Sequence, residues 1–147
     1  MPNSEAHKII GGLAGLTSLH FLPPLSLGGG SATLAGRVAG GVVGGLLPDW
    51  LEPATSPRHR STCHSAAAGG VALTDLHIAR NIEAYLQSRS AEIRHEAHGQ
   101  CDAVLKFLQK VWAWVVEFFG GAAVGVVAGY VSHLVADMFT PAGLPIL

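Results

Sequence analysis

His133 and Asp137 stand four residues apart, the spacing at which two side chains on one helix can grip a single ion. His59 and His64 are five apart where a polar loop turns into a helix, so they would reach an ion from both sides of that bend. Asp49 and Glu52 close an apolar run, and His7 lies near the start of the chain. Together His7, Asp49, Glu52, His59, His64, His133 and Asp137 form a mixed imidazole–carboxylate set. Such donors suit zinc first, then manganese or iron, rather than calcium or copper(I). They outnumber the four that a tetrahedral ion takes, so two ions, or residues supporting the ligands from behind, are implied. A divalent ion with an open position lowers the pKa of bound water to about 7, which yields a nucleophile at neutral pH. The expected chemistry is therefore metal-dependent hydrolysis. Glu52 is expected as ligand or general base, and Arg60 as the holder of an anionic substrate oxygen. Arg58 and Arg60 read equally well as anchors at a membrane surface.

The rare polar residues stand in register with small ones. Gly121, Gly125, Gly129, His133 and Asp137 recur every fourth residue, as do Gly41, Gly45 and Asp49, His7, Gly11 and Gly15, and His64, Ala68 and Ala72. Positions four apart share a helix face, and small-residue faces let membrane helices approach closely. One such stripe alone is ordinary packing, and a lone histidine at a helix end is ordinarily a capped or snorkelling residue. Four stripes with the same ending point to a shared polar site, because ionisable groups at membrane depth are costly and face the bundle interior. His20 is expected as a hydrogen-bond donor within the bundle, Cys63 as a small buried thiol, and His77, His95 and His98 as solvated. His95-Glu96-Ala97-His98 is one residue short of a zincin helix.

The elements that must carry these residues follow from composition. Charged residues make up 13% of the 147 and hydrophobic ones 49%, against about 25% charged in a soluble domain. The net charge of −1 and the absence of a basic run give nucleic-acid binding no support. Two cysteines are too few for a disulfide framework, and the first residues do not fit a cleavable signal peptide. The spacing predicts helices from about His7 to Leu22 and from about Ser31 to Leu47, the second stopped by Pro48. A third begins near Cys63 or His64 and is interrupted early by Asp75 and His77. Arg37 is expected to snorkel to the interface. Residues 75–117 are expected to form an extramembrane, amphipathic, solvated helical hairpin. Phe118 to Ala136, free of Asp, Glu, Lys and Arg, is long enough to span a bilayer, with Trp112 and Trp114 at its start. The expected fold is all-α: one membrane-embedded domain over 1–147, a polytopic bundle of about four transmembrane helices plus the charged hairpin. This topology brings the candidate ligands to one membrane face. Expected partners are membrane lipids, an unknown small or lipid-linked substrate (a phosphoester among the options), and a second copy packed through the glycine stripes.

Three segments carry a family resemblance. Leu47-Pro48-Asp49-Trp50-Leu51-Glu52-Pro53, Arg58-His59-Arg60-Ser61-Thr62-Cys63-His64-Ser65 and the stretch from Gly129 through His133, Asp137, Thr140 and Pro141 to Pro145 resemble motifs of the YdjM-like, LexA-regulated, predicted membrane-bound metal-dependent hydrolases. Those proteins show LPD-x-DHP, HRG-x-THS and GY-x-SH-xx-AD-xx-TP-x-G-x-P elements in this order, with an N-terminal histidine like His7. The resemblance implies an integral protein of the bacterial inner membrane and a hydrolase. Leu51 stands where the family has a second Asp and Glu52 where it has His; Ser61 and Cys63 also depart from the pattern. Glu52 keeps a ligating group and Leu51 does not. The other reading is a non-catalytic membrane protein with a structural metal site or an interaction role.

Overall fold

The computed structural model describes residues 4–24, 30–52 and 62–139, and every regular element among them is a helix. In chain order these are α1 (Ser4–Phe21), α2 (Ser31–Leu51), α3 (Ala66–Gly99) and α4 (Ala103–Met138). Caps fix two of the starts. The Ser65 hydroxyl accepts from Ala68 N–H ahead of α3, and the Asp102 carboxylate accepts from Val104 and Leu105 N–H ahead of α4.

Several boundaries differ from expectation. Pro48 does not end α2, which runs on to Leu51, and the Pro48 carbonyl accepts from Glu52 N–H at 2.9 Å. Proline lacks its own N–H yet keeps its carbonyl, so the last turn closes and carries Asp49 with it. Asp75 and His77 do not interrupt α3, because both lie exposed on its outer side. The hairpin of residues 75–117 is accordingly not a separate element: it is the far part of two long helices that are unbroken from end to end.

α4 is the spine of the molecule: α1, α2 and α3 all pack on it, and α1 also packs on α2. Glycine allows the closest of these crossings. A Cβ on Gly41 would lie 2.2 Å from the Gly11 carbonyl oxygen, and one on Gly129 would lie 2.1 Å from that of Gly41. The glycine stripes of α1, α2 and α4 thus meet one another within this one chain.

The interior is polar and small, and the exterior is apolar. Arg37 is fully buried rather than snorkelling. Its Nε and Nη2 donate to the two Glu83 oxygens at 2.8 and 2.6 Å, and its Nη1 to Ser18 Oγ at 3.2 Å and the Leu22 carbonyl at 2.8 Å. The fork–fork geometry satisfies a charge that burial would otherwise make costly. Nearby, the buried Glu117 accepts from Gly30 N–H at 2.8 Å and Thr33 Oγ1 at 3.0 Å and pairs with Arg94, while Gln87 donates to Thr33. Outside, Ile9, Leu13, Phe21, Trp50, Val71 and Phe139 are exposed. Among the described residues only α4 is by itself long and apolar enough to cross a bilayer.

Candidate metal centre

Each candidate ligand sits where a helix begins or ends at the same side of the bundle. His7 lies in the second turn of α1 and Asp49 in the last turn of α2. His64 stands in the turn just before the Ser65 cap of α3, off the helix rather than on a stripe with Ala68 and Ala72. His133 and Asp137 share one face in the last turns of α4. An up-down arrangement of helices brings these points together.

His64 Nε2 is 3.3 Å from Asp49 Oδ1 and 3.9 Å from Asp137 Oδ2. His133 Nε2 is 3.8 Å from Asp49 Oδ1 and 3.5 Å from Asp137 Oδ2. The His7 ring stacks on that of His133 with centroids 3.9 Å apart, and His64 meets it edge-on at 5.1 Å. Most of these separations are too long for good hydrogen bonds. They match atoms arranged around one cation, since ligands at 2.0–2.1 Å in a tetrahedron lie about 3.3 Å from each other. Two overlapping groups of donors result, His7 with Asp49 and His133, and His64 with His133 and Asp137, each within 4.8 Å.

The protonation of His133 follows from its partners. Its Nδ1 lies 2.7 Å from the Gly45 carbonyl oxygen, which can only accept, so Nδ1 carries the proton and Nε2 presents its lone pair to the carboxylates. That Nε2, and Nδ1 of His7, are buried without a hydrogen-bond partner among the described residues. A ring held through one nitrogen by a backbone carbonyl and open at the other is what a metal-ligating histidine presents. The donor set fits a divalent ion of the zinc class.

Glu52 takes a different place from the one expected. Its carboxylate accepts from Cys63 N–H at 2.8 Å and Thr62 N–H at 3.0 Å, and lies 3.4 Å from His64 Nδ1, on the far side of that ring from Asp49. It is outside both donor groups. Partial burial alone would raise its pKa, but the hydrogen bonds from Cys63, His64 and Thr62 outweigh it and hold the carboxyl below its ordinary value. Glu52 therefore orients His64 as an anion. Burial and the charge of Glu52 push the Cys63 thiol up, and it belongs to neither donor group.

The structure thus brings together His7, Asp49, His64, His133 and Asp137 and sets Glu52 behind them. His59, Arg58, Arg60 and the segment from Thr140 onward lie outside the described residues. His20 is not a bundle donor; it is exposed at the end of α1, edge-on to Phe21. His77, His95 and His98 are exposed, as their surroundings in the sequence suggested. Two contributors were missed: the Gly45 carbonyl, and Tyr130, whose hydroxyl donates to the Cys63 carbonyl at 2.7 Å and ties the His64 turn to α4. Gly45 stands one turn before Asp49 on the same stripe, which placed it near the site without showing that its carbonyl would be used. Family models, curated proteins and solved structures were compared with the chain, and none matches.

Proposed function

We propose that the protein is a metal-dependent hydrolase embedded in a membrane, related to the YdjM-like proteins its motifs resemble. The observation that carries the reading is His133, a buried imidazole pinned at Nδ1 by Gly45 and aimed at two carboxylates through an Nε2 that makes no hydrogen bond among the described residues. His133, Asp137, Asp49 and His64 would hold the ion, with His7 stacked alongside. When bound, a zinc-class ion supplies Lewis acidity and brings the pKa of a water towards about 7. The chain's own residues do the rest. Four of the donor side chains are buried, but the Asp49 side chain is 43% exposed, so the centre is open on that edge. Asp49 can present an oxygen to an incoming water there, and a substrate would approach from the same side. Glu52 keeps the His64 ring turned inward; it is a positioning residue, not the base. Arg60, five residues before Ser65, remains the proposed holder of an anionic substrate oxygen, such as that of a phosphoester.

The bundle's inverted character supports a polytopic membrane setting. Large apolar side chains face out from all four helices while arginine, glutamate and histidine are buried, the reverse of a soluble domain. α1 and α2 fall short as spans one by one, since α1 carries Glu5, His7 and Lys8 and α2 carries Arg37 and Asp49, yet packed together they offer lipid an apolar surface.

Metal analysis of protein purified in detergent is the direct test, followed by assays on phosphoesters, lipid head groups and amides with zinc and with manganese. Bound metal lost in His133→Ala, together with metal-dependent turnover lost in Arg60→Ala, is expected. The deep burial of four donors favours a second reading, a closed structural site. Cobalt(II) substitution separates them: an open position changes its visible spectrum when inorganic phosphate is added, and a closed shell does not.

A further inference from the structure

The face of α4 that receives α2 continues beyond the end of α2. Gly36 and Gly40 pack against Phe118 and Ala122, and Arg37 and Gly41 against Gly125 and Gly129. Phe118, Ala122, Gly125 and Gly129 alternate steps of four and three, the repeat of a helix that runs alongside another. Continued towards the start of α4, the same steps give Val115, Val111, Leu108 and Val104. Because α2 begins only at Ser31, opposite Gly121 and Glu117, Val111, Leu108 and Val104 stay exposed and Val115 is half-buried. The flanking positions are Leu105, Phe107, Trp112 and Trp114, all exposed.

The hairpin beneath this stripe is inverted too. α3 turns Glu83, Gln87, Ser90 and Ala97 inward, and α4 meets them with Ala113, Glu117 and Gly120. The apolar residues of this half of α4 point away, with Val104, Phe107 and Trp112 at 67%, 64% and 59% exposure. At about 200 Å² per ring, Phe107, Trp112, Trp114 and Phe119 leave roughly 450 Å² uncovered. Before any aliphatic residue is added, that matches the largest apolar patch of a typical monomer, about 300–600 Å². With the seam included it approaches the roughly 800 Å² per partner of a stable interface.

The hydrocarbon core of a bilayer is shorter than α4. The 36 residues of α4 make a rod about 54 Å long, and a hydrocarbon core is about 30 Å thick. Even at a tilt of about 40° the rod spans some 41 Å, so at least about 10 Å of it projects. We propose that the stripe from Val104 to Val115 pairs with the same stripe of a second copy of this chain, where α2 leaves off. Copies inserted in one membrane share an orientation, so the two helices run parallel and like residues meet. The flanks carry no charge, and by helical spacing Lys106 and Lys110 fall outside the stripe, so no like-charge repulsion opposes the pairing. This inference rests on the membrane setting proposed above and is independent of the metal centre.

Cysteine crosslinking in proteoliposomes of the full chain tests it, in a background carrying Cys63→Ser and Cys101→Ser. Under mild oxidation Leu108→Cys should form a product of twice the chain mass, and Lys106→Cys should not. Light scattering in detergent should give twice the 15.2 kDa chain mass for the unaltered protein, shifting to the single mass in Leu108→Glu. The crosslinking result stands even if Leu108→Glu fails to fold. Absence of the Leu108→Cys product with a single-chain mass would overturn the proposal. So would crosslinking at both positions alike, which would mean that no one face of the helix meets the second copy.

Discussion

His133 is held by a neutral acceptor on one side and faces two carboxylates on the other, and that asymmetry separates the roles of its neighbours. Removing His133 takes away a donor common to both groups of candidate ligands, so His133→Ala should abolish tight metal binding. Glu52 acts one bond further out, through the Nδ1 side of His64. Glu52→Gln keeps the shape of the side chain and an acceptor oxygen but loses the charge that orients the ring. It should weaken metal affinity by about 10–100-fold, the usual effect of a residue supporting a ligand from behind, without abolishing binding. Competition against a graded series of chelators reads both values. Equal loss in the two variants would make Glu52 a direct ligand, as its position in the motif had suggested.

At the scale of the elements, close helix crossings depend on particular glycines and not on glycine content. Gly41 lies between Gly11 and Gly129, and an added Cβ would meet backbone, which cannot swing aside. Gly41→Ala should destabilise the protein by about 1–3 kcal/mol, towards the upper end, as overpacking does. Gly70 has nothing within 4 Å of the corresponding position, so Gly70→Ala should be neutral or stabilise α3 by up to about 1 kcal/mol through helix propensity. Thermal unfolding in detergent distinguishes the two. Comparable losses at both positions would mean that the crossings are not as close as described.

Across the whole molecule, the bundle is tied at two places. The ligands gather at one end, and about 18 Å along α2 from Asp49, at Arg37, the pair with Glu83 joins α2 to α3, with Glu117 and Thr33 beside it. Arg37→Met leaves the buried Glu83 uncompensated and should cost about 3–5 kcal/mol, whereas Arg37→Met with Glu83→Met should recover most of that loss. Additive losses in the double variant would argue against a direct pair. Because this clamp needs no metal, chelation should lower the melting temperature while circular dichroism keeps the helical signal at room temperature. Collapse of that signal on chelation would mean that the metal end organises the whole bundle.

Much of this was legible in the sequence because it is set locally. Glycine at every fourth residue followed by His or Asp fixes one face of one helix, and chain parity then sends the ends of α1, α2 and α4 to one side. The convergence of His7, Asp49, His133 and Asp137 follows from those two facts, and His64 joins them from the turn ahead of α3. Element boundaries were less legible where a local signal was weaker than packing. Pro48 read as a stop, but it forfeits only a single N–H, and the turn closes on its carbonyl. Asp75 and His77 read as breaks in α3, yet polar side chains on an outer face do not interrupt a helix that packs on α4 along its other side. Only the tertiary structure could decide the remaining roles, because each depends on what lies opposite across another helix. Arg37 is a snorkelling residue or a buried clamp depending on Glu83, 46 positions away. Glu52 is a ligand or a support depending on which edge of His64 it meets. The apolar stripe of α4 is core below Phe118, where α2 covers it, and surface above, where none of the described residues of α2 lies against it.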